Sequence, residues 1–521
     1  MRPGLVTVTE ACTRVHPDTY LDSVRLMAGS RAMLETPGVA WAGALMGTPA
    51  NLRVLEAEGF EAGKLDAVGA NDLVLAVRAA STEAAGAALA TAERALLAEP
   101  EREHQAGREP RPRTLDEGLA LLRGANTAVV SVPGPYAVLE AHKALSAGLH
   151  VLLFSDNVPV EQEAALKARA QAAGRLVMGP GAGTAMLGGV GLGFANAVAR
   201  GPVGIVAAAG TGAQEVMSLL DRWGAGVSHV IGVGGRDLSR QVGGRMARLA
   251  IEALECDEAT EAILLVSKPP DEGVARAVLD AAGAKPLVAV LIGLDAPVPE
   301  RPGVTAATTT ERGVLDVLAR LGRPCPDPGA GLAESARRAC ARLAPGRRAV
   351  RGVFSGGTLC YEAMVVLSAR LGPVHSNTPL RPAWGLPAPP AAHTCLDLGE
   401  EEFTRGRPHP MLDPGARTEP ILREGRDPST AVVLVDVVLG HGVHPDPAGV
   451  LAPACAEVMA QPGGPQVVAY VLGTDRDPQG RREQCRKLLD AGCIVAPTAA
   501  RGAVLAAAVA GRRPETAGEA P

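Results

Sequence analysis

Two stretches of this chain repeat one another: VGIVAAAGTGAQEVMSLL (203–220) and RGVFSGGTLCYEAMVVL (351–367) each read as an apolar strand, a glycine-rich turn and a helix. An apolar run that enters a helix through glycine marks a parallel strand buried on both faces. The likeness continues in order. SHVIGVGGRDLS pairs with HTCLDLGEEEFT, EAILLVSKP with AVVLVDVVLG, and KPLVAVLIG with PQVVAYVLG. Each copy thus supplies about four parallel strands and predicts a flavodoxin-like domain.

Upstream, TAVVSVPGP, a helix over 136–147, LHVLLFSD, a helix over 160–173 and RLVMGPG predict half of a Rossmann-like domain with right-handed crossovers. The first hundred residues alternate strand-like and helix-like segments, one helix opening at Thr48-Pro49, and predict a small α/β domain. The fold class expected is α/β, with residues 1–110 an N-terminal α/β domain and linker, 111–200 Rossmann-like, and 201–325 and 345–521 the two flavodoxin-like domains. The polar stretch 99–114 reads as a linker, and the Pro- and Arg-rich segment 323–348 separates the two copies, although AESARRACARL within it looks helical.

Composition excludes several functions. A net charge of -5 with 2% aromatic residues gives neither a basic field for phosphate backbones nor platforms for base stacking, so no nucleic-acid partner is expected. The first residues lack the apolar core of a secretion signal and no run approaches a membrane span, so a cytoplasmic protein without a membrane partner is expected. The nine cysteines contain no CxxC pair and read as reduced thiols rather than metal ligands. The Walker, G-x-S-x-G and HExxH patterns are all missing.

The candidate site residues fall at strand ends. Gly210, Thr211 and Gly212, with Gly356, Gly357 and Thr358, stand between a buried strand and a helix, where unpaired N–H groups and a partial positive charge suit a phosphate or acyl phosphate. A tight turn with ordinary capping is the alternative. The polar run His393–Pro414 holds Arg405 and Arg407, suited to clamping a substrate carboxylate, and His409 and Asp413, suited to moving a proton. A solvated loop is the alternative there. His441-x-x-His444-x-Asp446 follows another strand; no further ligand stands at diagnostic spacing, so hydrogen-bonding roles are expected and no metal.

These segments carry a family resemblance. GIVAAAGTGAQEV and GVFSGGTLCYEAM, after a half-Rossmann domain and a GPG turn, resemble succinyl-CoA synthetase, and SGGTLCYEA resembles the helix start of its α subunit. YLDSVRLMAGS, MGTPANLRVL, HTCLDLGEEEFTRGRPHPMLDP and DVVLGHGVHPDPAG resemble FdrA-type proteins along nearly the whole chain. The chain also departs from the synthetases. The loop GLDAPVPERPGVTAATTTERG holds no histidine, and none lies between His229 and His375, so the phosphohistidine is missing. The first glycine turn of the CoA-binding domain and the ATP-grasp domain are missing too, which counts against coenzyme A and implies no certain cofactor. The FdrA resemblance implies a subunit of an oxamate carbamoyltransferase of allantoin (purine) catabolism, forming oxamate and carbamoyl phosphate from oxalurate and phosphate. Its substrate would be a small anion and its partners other carbamoyltransferase subunits, while His409, His444 and Asp413 would be catalytic. The alternatives are an acyl-CoA ligase subunit with a partner ATP-grasp chain, or a non-catalytic scaffold.

Overall fold

The structure, a computed structural model, describes residues 10–21, 23–61, 67–97, 112–294, 301–404 and 408–521. These residues form two compact units, one of 10–97 with Pro408 and the other of the described residues in Pro112–Thr404 and His409–Pro521.

In the first unit the elements run β1 (Glu10–His16), α1 (Ser23–Leu34), β2 (Val39–Met46), α2 (Pro49–Ala57), β3 (Leu73–Ala79) and α3 (Thr82–Leu97). The strands form an antiparallel sheet in the order β1-β3-β2. Central β3 is buried along nearly its whole length, and Ala85, Ala88, Leu89, Ala92 and Leu96 of α3 close the core. The helix α2 opens as the sequence predicts: Pro49 supplies a fixed φ, and the Thr48 hydroxyl accepts from Asn51 N–H.

The second unit begins with α4 (Leu115–Leu121), β4 (Thr127–Val130), α5 (Gly134–Ser146), β5 (His150–Leu153), α6 (Val160–Ala172) and β6 (Val177–Met178), a three-stranded parallel sheet ordered β4-β5-β6. Next come β7 (Thr184–Leu187), β8 (Val190–Gly193), β9 (Arg200–Ala208), α7 (Gly210–Arg222), β10 (Val227–Gly232), α8 (Arg245–Cys256), β11 (Ala262–Ser267), α9 (Glu272–Leu279), β12 (Leu287–Leu291), β13 (Val304–Ala307) and α10 (Thr310–Arg320). The chain ends with α11 (Leu332–Arg342), β14 (Ala349–Phe354), α12 (Gly357–Leu371), β15 (Val374–His375), β16 (His393–Asp397), α13 (Glu401–Thr404), α14 (Thr418–Arg426), β17 (Thr430–Val438), α15 (Pro447–Met459), β18 (Gln466–Leu472), α16 (Arg481–Asp490), β19 (Ile494–Ala496) and α17 (Ala499–Ala510).

The two larger sheets have the same core order. One runs β13-β12-β11-β9-β10-β7-β8 and the other β15-β16-β14-β17-β18-β19. Matched strands occupy matched places: β9 with β14, β10 with β16, β11 with β17, β12 with β18 and β13 with β19. This is the doubly wound order in which ligands lie beyond the carboxyl ends of the strands. Two segments fall elsewhere than the sequence suggests. The hairpin β7–β8, placed by sequence with the Rossmann-like half, pairs through Met186 with Val230 and so extends the first large sheet. Within the supposed separator, α11 buries Leu332, Ala336 and Ala339 in the core of the second sheet.

Buried ions join these parts. Lys167 of α6 has no exposed surface and donates to Glu163 Oε1 (2.8 Å), Asp237 Oδ1 (2.9 Å) and the Val233 carbonyl (2.8 Å), which ties α6 to the loop after β10.

Candidate functional site

The helices α7 and α12 begin at equivalent points of the repeat, Gly210 with Gly357, Thr211 with Thr358, Glu215 with Glu362. The structure brings their first turns into contact. Thr358 N–H donates to Thr211 Oγ1 at 3.2 Å. Glycine is needed for this approach: a Cβ on Gly212 would lie 2.9 Å from Thr358 Cγ2, and one on Gly356 would lie 3.1 Å from Thr211 Cγ2.

The two helix starts differ in what meets them. At α12, Asp436 in the middle of β17 accepts from Ser355 N–H and Gly356 N–H, both at 2.8 Å, and from the Ser355 hydroxyl at 3.1 Å. Buried Arg417 balances this carboxylate through Nη1 at 2.6 Å from Oδ1. That helix start therefore already holds an internal anion. At α7 the N–H groups of Gly210, Thr211 and Gly212 meet no acceptor among the described residues, and space around Gly210 is open.

Beside the junction stand two groups that the sequence reading did not select. Lys268 follows β11, and its Nζ lies 3.4 Å from where a Cβ on Gly357 would be. It is half-buried and forms no ion pair among the described residues. Asp397 ends β16, accepts from Gly399 N–H at 3.0 Å, and is pushed up to about 7 by burial, with Lys268 opposing. Both carboxylates left a sequence signal, since Asp397 and Asp436 are the lone acids in the apolar strands HTCLD and TAVVLVDVV.

His409 lies next to this cluster. Its Nε2 is 2.6 Å from the position of a Cβ on Gly399, and its Nδ1 accepts from Met411 N–H at 3.2 Å. Burial lowers its pKa, with Asp436 opposing and Arg417 adding, which favours the neutral ring with the proton on Nε2. Asp413 is not its side-chain partner. It is exposed and accepts from Gly415 N–H at 3.1 Å to cap a short 3-10 turn. His444 also serves its own loop: its Nδ1 accepts from Asp446 N–H at 3.0 Å and its N–H donates to the Met411 carbonyl. Arg405 and Arg407 lie outside the described residues. His441, His444 and Asp446 do not converge, because His441 is exposed and Asp446 pairs with Lys487 at 2.8 Å. No group of three or more potential metal ligands occurs among the described residues.

A second layer of carboxylates backs the junction reciprocally. Glu362 of α12 accepts from Thr310 N–H (2.6 Å) and Oγ1 (2.8 Å) at the start of α10, while Glu215 of α7 accepts from Tyr470 (2.6 Å) and faces Ala499 N–H (3.5 Å) at the start of α17. Burial pushes Glu362 up to about 8 and Glu215 up to about 7.

A relative spans the entire arrangement: the protein named Uncharacterized protein YahF, from Escherichia coli, is 39% identical over 513 residues, 94% of this chain and 97% of its own. The chain belongs to the YahF family. In this YahF-family chain, residues 353–509 match the family described as CoA-ligase, and residues 9–112 match AllF, heavy metal-associated domain. Another relative, the succinate–CoA ligase [ADP-forming] subunit alpha 2 of Archaeoglobus fulgidus, is 32% identical over 189 residues, 35% of this chain and 64% of its own. Among solved structures, the apo dinucleotide-forming acetyl-coenzyme A synthetase 1 of Ca. Korarchaeum cryptofilum aligns over 75% of this chain and 84% of its own, at 16% identity and a TM-score of 0.29. This YahF-family chain is thus succinyl-CoA-ligase-like, with an α-subunit-type domain. No described helix is long and apolar enough to cross a membrane.

The AllF-type unit does not present a soft-metal site among its described residues. Cys12 is its single thiol there, and His16 is engaged 3.1 Å from Glu93.

Proposed function

We propose that this chain is an FdrA-type subunit that handles an acyl phosphate at the α7–α12 junction without a phosphohistidine, and that the acyl phosphate is carbamoyl phosphate formed from oxalurate and phosphate. One observation carries the proposal: at the α7–α12 junction a half-buried ammonium, Lys268, stands beside Gly357 of α12 and forms no ion pair among the described residues, while the first N–H groups of the adjoining α7 meet no acceptor there. A bound anion would complete this arrangement, in which Asp397 is the carboxylate that otherwise faces the ammonium.

In the forward direction a phosphate oxygen attacks the carbamoyl carbon of oxalurate. The C–O bond forms, the C–N bond to the oxamate nitrogen breaks, and that nitrogen takes a proton. Gly210, Thr211 and Gly212 N–H groups and Lys268 would hold the phosphate and the developing oxyanion. Asp397, titrating near neutrality, and His409, with its proton on Nε2, are placed to exchange the proton. Arg405 and Arg407 would hold the substrate carboxylate. Gly356, Gly357 and Thr358 would brace the α7 start, their own anion being Asp436. Partner subunits complete the enzyme in this proposal, as the word "subunit" in the relatives' names suggests. No step is routed through coenzyme A.

The similarity to CoA-ligase subunits favours a second reading, an acyl-CoA ligase subunit that works with an ATP-grasp partner. One assay separates the two. Purified chain, alone and with the products of neighbouring genes, is incubated with oxalurate and phosphate, or with a dicarboxylate, ATP and coenzyme A. Phosphate-dependent release of oxamate supports the transferase; ATP- and CoA-dependent thioester formation with no oxalurate cleavage rejects it.

A further inference from the structure

A cavity of about 590 Å³ opens at the amino-terminal ends of β4, β5 and β10. It lies at the opposite strand ends from the α7 start, which follows the carboxyl end of β9, the parallel neighbour of β10. One wall is the sheet β4-β5-β6, on the face away from α5 and α6. Right-handed crossovers put both helices on one side, and Thr127, Val129, His150 and Met178 line the cavity on the other. The hairpin β7–β8 with Leu192, strand β10 with His229 and Ile231, and the end of α8 with Asp257 form the facing wall. The volume suits a small molecule, and the apolar side chains on both walls are aliphatic.

The polar groups are fixed before any ligand arrives. His150 Nδ1 accepts from Leu176 N–H at 3.0 Å and His229 Nδ1 accepts from Gly188 N–H at 3.1 Å, so each ring carries its proton on Nε2. Neither Nε2–H has an acceptor within hydrogen-bond distance among the described residues. Asp257 Oδ2 stands 3.6 Å from His229 Nε2, too far to bond with it, and both side chains are partly exposed. The Thr260 hydroxyl, donating at 2.6 Å, holds the Asp257 carboxyl below its usual range, so it stays an anion. One wall thus presents an acceptor and a donor side by side, each without its partner. No Lys or Arg lines the cavity. Lys285, the cation beside Asp257, donates to the Leu254 and Asp257 carbonyls, and Arg175, beside His150, donates to the Gly148 carbonyl.

We propose that this cavity binds an uncharged purine base or nucleoside, of which adenosine is the representative, through an edge that sets an N–H beside an acceptor. Adenine presents that edge as its N6 amino group next to N7, the pattern that a neighbouring acceptor and donor read together. Asp257 takes the N6–H and His229 Nε2–H reaches the ring nitrogen. His150 Nε2–H, on the other wall, donates to a further acceptor of the ligand. Val129 and Met178 from one wall, with Leu192 and Ile231 from the other, hold the flat ring by dispersion. A carboxylate with no cation on the walls disfavours a phosphorylated ligand, which separates this site from the anion site at the α7 start.

Isothermal titration of adenosine, N6,N6-dimethyladenosine and adenosine 5′-monophosphate into the full chain tests this. Adenosine is expected to bind with a dissociation constant of about 0.1 mM or tighter. The dimethyl compound, which has lost the N6 donors, is expected to bind at least ~tenfold more weakly. Asp257→Asn, which removes the charged acceptor, and Leu192→Trp, which fills the cavity from the hairpin, should each weaken adenosine at least ~tenfold. Thermal melts followed by circular dichroism check that both variants fold. The dimethyl comparison uses the unsubstituted chain and stands even if a variant does not. No adenosine binding by the wild type overturns the proposal, as do equal affinities for adenosine and its dimethyl derivative. Adenosine affinity unchanged in either folded variant overturns it too, and so does tighter binding of the monophosphate, which would place the ligand against cations that this cavity lacks.

Discussion

Replacing Arg417 by leucine probes the buried charge that closes the α12 start. Arg417 is 1% exposed, and its Nη1 reaches Asp436 Oδ1 at 2.6 Å and the Asp436 carbonyl at 2.8 Å. Leucine fills much of the volume but leaves the Asp436 carboxylate with only Ser355 and Gly356 as donors. Breaking one side of a buried pair costs about 3–5 kcal/mol. The lost carbonyl bond adds about 1 kcal/mol, so the folded-to-unfolded ratio should fall by roughly a thousandfold or more. Urea unfolding followed by tryptophan fluorescence reads this, because Trp384 belongs to the second large sheet's connections. Adding Asp436→Asn to Arg417→Leu should restore part of the loss, since the remaining polar group is no longer charged. A loss below about 1 kcal/mol for Arg417→Leu alone would refute the assignment of Asp436 as a desolvated internal anion.

Glu362→Gln should stabilise the protein near pH 8 and flatten its pH dependence. The folded-state pKa of Glu362 is raised to about 8, so its stabilising contribution is complete below the unfolded value and lost as pH rises from about 4.5 to 8; thermal melts across that window give the check. Lys167→Ala should cost about 3–5 kcal/mol, because Glu163 and Asp237 are left buried without their ammonium; an unchanged urea midpoint would contradict it. Gly210→Ala should be neutral or stabilise by about 0.4–1 kcal/mol, the site being open. Gly212→Ala, whose Cβ would press on Thr358 and Val266, should cost about 1–3 kcal/mol; equal melting temperatures for these two variants would show that the turns do not touch.

The repeat was legible because parallel strands buried on both faces are apolar nearly throughout, as VGIVAA, AILLV, AVVLV and VVAYVL are. Their shared order in two sheets follows from that pattern and the glycine turns. The hairpin β7–β8 was not legible, because pairing between Met186 and Val230 depends on tertiary approach and leaves no local period. At the site, Gly210–Gly212 and Gly356–Thr358 stood out through glycine. Asp436 and Asp397 were visible only as charges interrupting apolar strands, and Arg417, in GARTEP, looked like any surface arginine although Asp436 draws it inside. Asp413 and His444 show the difficulty: a proton-moving residue and a loop-capping residue share the same sequence appearance, and the bonds these two side chains accept, from Gly415 and Asp446 N–H, lie within their own loops.

Isothermal titration of carbamoyl phosphate and of inorganic phosphate into the wild-type chain and into Lys268→Met tests the central claim most directly. An anion held between the α7 start and Lys268 predicts binding by the wild type and a loss of at least ~tenfold in affinity, about 1.4 kcal/mol, in the variant. Equal affinity in both proteins, or no binding by the wild-type chain even with its partner subunits present, would contradict the account.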